Sequence, residues 1–98
     1  MAQSFRYEIE MKVPLGTRTG SLELCVQNGA VTGSLTLFMK TTGISAGTYH
    51  NGNVAFRGTM QTLADTLHYS AHGTIQKRLA DLEFITDRGS YHVTGTAK

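Results

Sequence analysis

The chain has few of the residues that build cross-links, metal sites and membrane spans. It contains one cysteine, Cys25, among 98 residues, so an internal disulfide and a zinc site made of cysteines are both excluded. A thiol without a partner favours a reducing compartment. The N-terminal residues lack the apolar run of a signal peptide, and no apolar stretch has the length of a membrane span. We therefore expect a cytoplasmic protein that does not contact membranes.

Charged residues are also scarce. They make up 16% of the chain, and the net charge is +2. The basic residues are scattered, whereas a nucleic-acid-binding barrel needs a basic groove with stacking aromatic residues. We expect no nucleic-acid partner. The apolar fraction of 40% argues against disorder, and the length suits a single domain over residues 1–98.

The dominant pattern is an alternation of apolar and polar residues with a period of two. About eight such segments follow one another, separated by short turn signals, which is typical of an all-β domain. The best candidate for a helix is residues 76–84, but the facing pairs predicted below favour a strand there. The first segment carries its apolar residues at odd positions, namely Phe5, Tyr7, Ile9, Met11 and Val13.

Two asparagine–glycine pairs, Asn28-Gly29 and Asn51-Gly52, are the strongest turn signals, because both residues accept the backbone angles of a tight hairpin. Further turns are predicted at Lys77-Arg78 and Arg88-Gly89, with a turn at 14–16 and a loop at 63–65. These turns fix which residues face each other on neighbouring strands. The predicted pairs are Val26 with Val31, Leu22 with Leu35, Ile75 with Ala80, Ala71 with Phe84, Phe84 with Val93, and Thr86 with Tyr91.

Eight sequential antiparallel strands predict a single-domain meander that closes into a barrel, since closure removes both sheet edges. A two-sheet β-sandwich is the alternative. The run Gly20-x-Leu22-x-Leu24, then Asn28-Gly29-x-Val31-x-Gly33-x-Leu35, resembles the calycin-type barrels, which include lipocalins, fatty-acid-binding proteins and avidins. Because the chain has no tryptophan, the resemblance implies the barrel and no particular ligand.

The inward face of such a barrel predicts the candidate binding site. An eight-stranded barrel either holds one small ligand or is filled by its own side chains. In the first case tyrosine hydroxyls would orient a small apolar molecule. Inward glycines at 33, 73 and possibly 47 either open a cavity or permit a bend. Met39 is also predicted to point inward. The candidate ligand-binding residues are Tyr7, Phe56, Tyr69, Phe84 and Tyr91.

The histidines suggest a second type of site. The predicted register places His72 opposite Glu83 and His92 diagonal to it, which would make a cluster of two histidines and one carboxylate that suits a metal ion. An exposed ion pair on the outer sheet face is the simpler interpretation. No cofactor is expected, and no arrangement of nucleophile and base stands out.

Three functions remain open at this point. The first is a barrel that encloses a small apolar molecule. The second is a non-catalytic structural or oligomerisation module; four residues predicted to face outward, Cys25, Phe38, Leu79 and Ile85, would form a homo-oligomer interface if they cluster. The third is a barrel enzyme, or a metal site formed by His72, Glu83 and His92.

Overall fold

A computed structural model describes residues 3–13, 16–37, 39–61 and 65–97. These residues form eight antiparallel strands in chain order, which confirms the predicted all-β meander. No helix among them is long and apolar enough to cross a membrane. The strands are β1 (Gln3–Val13), β2 (Gly16–Gln27), β3 (Ala30–Leu37), β4 (Lys40–His50), β5 (Asn53–Gln61), β6 (Thr66–Ile75), β7 (Leu79–Thr86) and β8 (Gly89–Ala97).

The first and last strands close the sheet into a barrel. On one side β1 pairs with β2 from Gln3 to Val13. On its other side β1 pairs with β8, where Tyr7 faces Ala97 and Met11 faces Val93. The closed barrel is therefore the correct architecture, and the sandwich alternative is wrong.

Both asparagine–glycine turns are confirmed. Asn28 and Gly29 have φ angles of 54° and 81°, and Asn51 and Gly52 have φ angles of 49° and 84°. Positive φ at both central residues is the geometry whose twist matches a hairpin. The turns fix the predicted register, so that Val26 faces Val31.

Of the last two hairpins, the one formed by β6 and β7 has the predicted register, and the one formed by β7 and β8 does not. Residues 79–86 form a strand, and Ala71 faces Phe84 as predicted. The predicted pairing of β7 with β8 is wrong by two residues, because Phe84 faces Tyr91 and Thr86 faces Gly89. The two-residue turn lies one residue earlier than predicted, at Asp87-Arg88. There the Thr86 hydroxyl donates to the Gly89 carbonyl at 2.9 Å and accepts from the Arg88 amide at 3.0 Å. Because the register is shifted by two residues, every side chain of β8 still lies on its predicted face of the sheet.

The apolar and tyrosine side chains of the alternating pattern fill the barrel interior, and no charged side chain of the described residues is buried. Met39 is an exception to the prediction. It is 98% exposed and has a φ of 63°, because β3 ends at Leu37 and the short turn to β4 carries Met39 out of the sheet. Phe38, Pro14, Leu15 and residues 62–64 lie outside the described residues.

The inward glycines at 33 and 73 permit close strand approach and do not open a cavity. A Cβ on Gly33 would lie 1.9 Å from the Glu23 carbonyl oxygen, and one on Gly73 would lie 2.1 Å from that of Asp81. Their φ angles of 152° and 154° are also unfavourable for other residues. Of the two roles that the sequence left open, the bend is correct.

Candidate functional site

Three of the predicted ligand-binding residues, Phe56, Tyr69 and Phe84, pack against one another inside the barrel. We call them the inner cluster. Tyr69 and Phe84 are stacked with ring centroids 4.7 Å apart, and Phe56 meets both edge-on at about 6 Å. None is more than 3% exposed. A cavity that held even one water would leave accessible surface on the rings around it. These rings therefore fill their own part of the interior.

The hydroxyl of Tyr69 is buried and has no hydrogen-bond partner among the described residues. Burial raises the pKa of Tyr69 well above its ordinary value. The residue opposite on β5 is Gly58, where an added Cβ would lie 2.9 Å from the Tyr69 Oη. The absence of a side chain at Gly58 thus makes the room that this hydroxyl occupies.

Tyr91 completes the inward row at the start of β8. It faces Phe84 on β7 and is half-buried against the core. Its side chain therefore lies on the predicted face, beside the inner cluster and closer to solvent.

The fifth predicted residue, Tyr7, belongs to a different group of rings. Its ring stacks on Phe5 with centroids 6.3 Å apart, and Phe5 lies 6.3 Å from Tyr49. We call Phe5, Tyr7 and Tyr49 the mouth cluster. Tyr7 has no accessible surface, and its hydroxyl donates to the backbone carbonyl of Gln76. Burial, with a smaller contribution from Tyr49, raises the pKa of Tyr7 to about 12.

An open cleft lies over the mouth cluster at the end of the barrel where β1 begins. Its volume is about 720 Å³. Phe5 and Tyr49 are only half-buried, so each presents part of an aromatic ring to this cleft. We call the cleft the β1 mouth. It is lined by Gln3, Ser4, Phe5, Arg6, Tyr49, Ile75, Gln76, Lys77 and Ala97.

A bulge in β4 turns Tyr49 towards the β1 mouth. Ile44 is buried and faces Gly58, and strict alternation from there would point Thr48 inward and Tyr49 outward. The pairing with β5 shifts between Ser45 and Thr48. After the shift Thr48 is exposed, while Tyr49 faces the buried Val54 and packs on the core. Bulges of this kind re-aim side chains and are frequent beside functional sites.

Phe5 and Tyr49 are not among the residues predicted from the sequence to form the site. Phe5 was read only as one more residue of an alternating strand. The signal for Tyr49 was the odd spacing between two apolar positions, Ile44 and Tyr49, in a segment that contains Gly47. An odd spacing within one strand indicates an extra residue.

The three predicted metal ligands lie in one row on the outer face. His72 faces Glu83, and Glu83 faces His92 directly rather than diagonally. His92 contacts a different carboxylate, with Nε2 3.2 Å from Oδ1 of Asp81. In the described part of the chain, no group of three His, Cys, Asp or Glu residues could hold a metal ion. The arrangement gives no support to the metal site, and the recorded contact on this face joins His92 to Asp81 rather than to Glu83.

On the outer face of β7, charged side chains lie between the exposed apolar residues. Leu79 is 56% and Ile85 is 46% exposed, and both lie on the outer face of β7. The acidic residues Asp81 and Glu83 lie between them on the same face. Cys25 is half-buried. The described residues therefore give no continuous apolar patch on β7.

No protein-family model, curated protein or solved structure matches this chain. Of the resemblance to calycin-type barrels, the structure shows the closed eight-stranded antiparallel architecture.

Proposed function

We propose that the chain is a binding protein that holds a small molecule with a flat apolar body in the β1 mouth. The observation that carries this proposal is the pair of half-buried rings, Phe5 and Tyr49, that line an open cleft. Exposed aromatic surface costs free energy in water, and a ligand that covers both rings removes that cost. The bulge in β4 supports the proposal, since it places the second ring there.

The size of the cleft supports a small ligand. Its volume of about 720 Å³ lies within the range of about 300–1,000 Å³ that ligand sites occupy. The buried ring of Tyr7 lies beneath Phe5, so a ligand rests on the end of the barrel. We therefore expect it to be held on ring faces rather than enclosed in the interior.

Such a site binds with modest affinity. Drug-sized ligands gain about 0.3 kcal/mol per non-hydrogen atom. A two-ring molecule of about 16 such atoms then gains about 5 kcal/mol, which corresponds to a dissociation constant of the order of 0.1 mM.

A fluorescence titration with N-phenyl-1-naphthylamine tests the proposal, because this neutral dye becomes bright when it leaves water. We expect saturable binding to the intact chain. Phe5→Ala and Tyr49→Ala should each weaken it about tenfold, since each removes roughly 1.4 kcal/mol of ring contact. Tyr91→Ala is the matched control, because it removes a half-buried tyrosine at the other end of the barrel.

Two results would contradict the proposal: dye binding that does not saturate, or a Tyr91→Ala variant that loses as much affinity as Tyr49→Ala. A second measurement does not depend on the dye. The chain has no tryptophan, so Phe5→Trp introduces a single indole fluorophore in the β1 mouth. Its emission should change when ligand binds, whereas a tryptophan placed at Tyr91 should not respond.

A further inference from the structure

The two charged residues among the described residues that line the β1 mouth are both basic. Lys77 lies on the short turn between β6 and β7, Arg6 lies on the outer face of β1, and both line the cleft. No aspartate or glutamate is among the lining residues. The cleft therefore has two basic side chains beside its two aromatic rings.

Of the two cations, Lys77 is available to a ligand. Arg6 already has a carboxylate nearby, with its Nε 3.7 Å from Glu23 Oε1. Lys77 is exposed, and no ion pair of Lys77 occurs among the described residues. An ammonium group beside an apolar surface attracts an anion more strongly than one in open water, because the surface displaces screening solvent.

The interior below the cleft excludes a long chain. Tyr7 has no accessible surface, and its neighbours Ile9 and Leu22 are at most 1% exposed. An extended alkyl chain therefore finds no channel along the barrel axis. A flat ring needs only the faces of Phe5 and Tyr49, which are accessible from outside.

We propose that the ligand of the β1 mouth is an aromatic anion, namely a flat ring system with one negatively charged group, carboxylate, sulfonate or phosphate, placed at Lys77. This inference rests on the proposed function, and it specifies in addition that the ligand carries a negative charge and a flat ring system.

Two dyes with the same ring system separate the inference from the proposed function. 8-Anilinonaphthalene-1-sulfonate carries a sulfonate, and N-phenyl-1-naphthylamine is the same skeleton without it. We expect the intact chain to bind the anionic dye about fivefold more tightly at low salt, and the difference to shrink as salt is added. Octanesulfonate, an aliphatic anion, should displace the anionic dye only at concentrations at least tenfold higher than an aromatic sulfonate needs.

Lys77→Gln should weaken the anionic dye about threefold and leave the neutral dye unchanged. Lys40→Gln is the matched control, because it removes the same charge at the opposite end of the barrel. Equal loss in both lysine variants would mean that the dye responds only to net charge, which would overturn the inference.

The remaining outcomes are also decisive. If both dyes bind equally and neither responds to Lys77→Gln, the charge inference fails and the proposed function stands. If octanesulfonate competes as well as the aromatic sulfonate, the ring requirement fails. If neither dye saturates, the proposed function itself fails. Circular dichroism of each variant confirms that the barrel is intact before any affinity is compared.

Discussion

The two aromatic clusters use similar residues in opposite ways. The inner cluster packs its rings to exclude water, and it leaves the Tyr69 hydroxyl without a partner among the residues that the structure describes. The mouth cluster leaves two rings half-buried, yet the hydroxyl of its deepest member, Tyr7, bonds to the Gln76 carbonyl. A cluster that only fills space tolerates one costly polar atom. A cluster at the surface leaves rings accessible, as the apolar linings of ligand sites do, while its buried hydroxyl is satisfied by the protein itself.

The largest expected difference between the clusters is in stability. Phe84→Ala removes a ring with no accessible surface and should lower the free energy of unfolding by about 4 kcal/mol. Phe5→Ala removes a half-buried ring and should cost about 1 kcal/mol. Urea denaturation of both variants measures this, and equal losses would mean that the two clusters contribute alike to folding.

Gly58 tests how tightly the inner cluster is packed. Gly58→Ala should cost about 2 kcal/mol, because its Cβ would lie 2.9 Å from the Tyr69 Oη and 3.1 Å from the Gly43 carbonyl oxygen. Gly43→Ala is the control, since its Cβ meets nothing within 4 Å, and it should be neutral or slightly stabilising. In a Tyr69→Phe background the cost of Gly58→Ala should fall by about 1 kcal/mol. An unchanged cost would show that the hydroxyl is not what the new methyl group meets.

The two buried hydroxyls should respond differently to removal. Tyr7→Phe deletes a hydrogen bond and should cost about 1 kcal/mol. Tyr69→Phe deletes a hydroxyl without a partner, so the variant should be as stable as the parent or up to about 1 kcal/mol more stable. Thermal and urea unfolding of the Tyr7→Phe and Tyr69→Phe variants measure the two changes in stability. A clear loss in Tyr69→Phe would indicate that a bound water satisfies that hydroxyl.

The smallest expected effect is a pH dependence at alkaline pH. The pKa of Tyr7 rises from 10.0 unfolded to about 12 folded, so its contribution to stability is complete below pH 10 and is lost as pH rises towards 12. Up to pH 10.5 the loss is below about 1 kcal/mol. The pKa of Tyr69 is also raised by burial, so its contribution to stability is likewise lost at alkaline pH. Urea midpoints from pH 8 to 10.5 should fall less steeply in Tyr7→Phe than in the parent, and parallel slopes would contradict the assignment.

The fold was accessible from the sequence because its signals are local. Alternation identifies the inward face, and each Asn-Gly pair sets a register by its own backbone angles. The predicted Lys77-Arg78 turn is also correct, since Ile75 faces Ala80, but the predicted turn after β7 is not. The Asp87-Arg88 turn is closed by the Thr86 hydroxyl, which no residue pattern indicates, so the register of β8 was misplaced by two residues.

The candidate site was less accessible, because it depends on an irregularity and on a junction between distant strands. Tyr49 reaches the β1 mouth only because β4 gains a residue against β5. Phe5 and Lys77 meet there because the barrel brings the start of β1 beside the turn after β6. Neither fact follows from alternation, whereas the packing of Phe56 and Phe84 does.

The closure of β1 on β8 has a consequence for kinetics. It joins positions 7 and 97, so it spans nearly the whole chain, while the other strand pairs join sequence neighbours. Contacts this distant in sequence are slow to form, and we expect the hairpins to precede this closure during folding. The β1 mouth is lined by Phe5 on one side of the junction and by Ala97 on the other. If a ligand in the proposed site contacts both strands, it should prolong the lifetime of the folded state, because it would hold the two sides of this junction together.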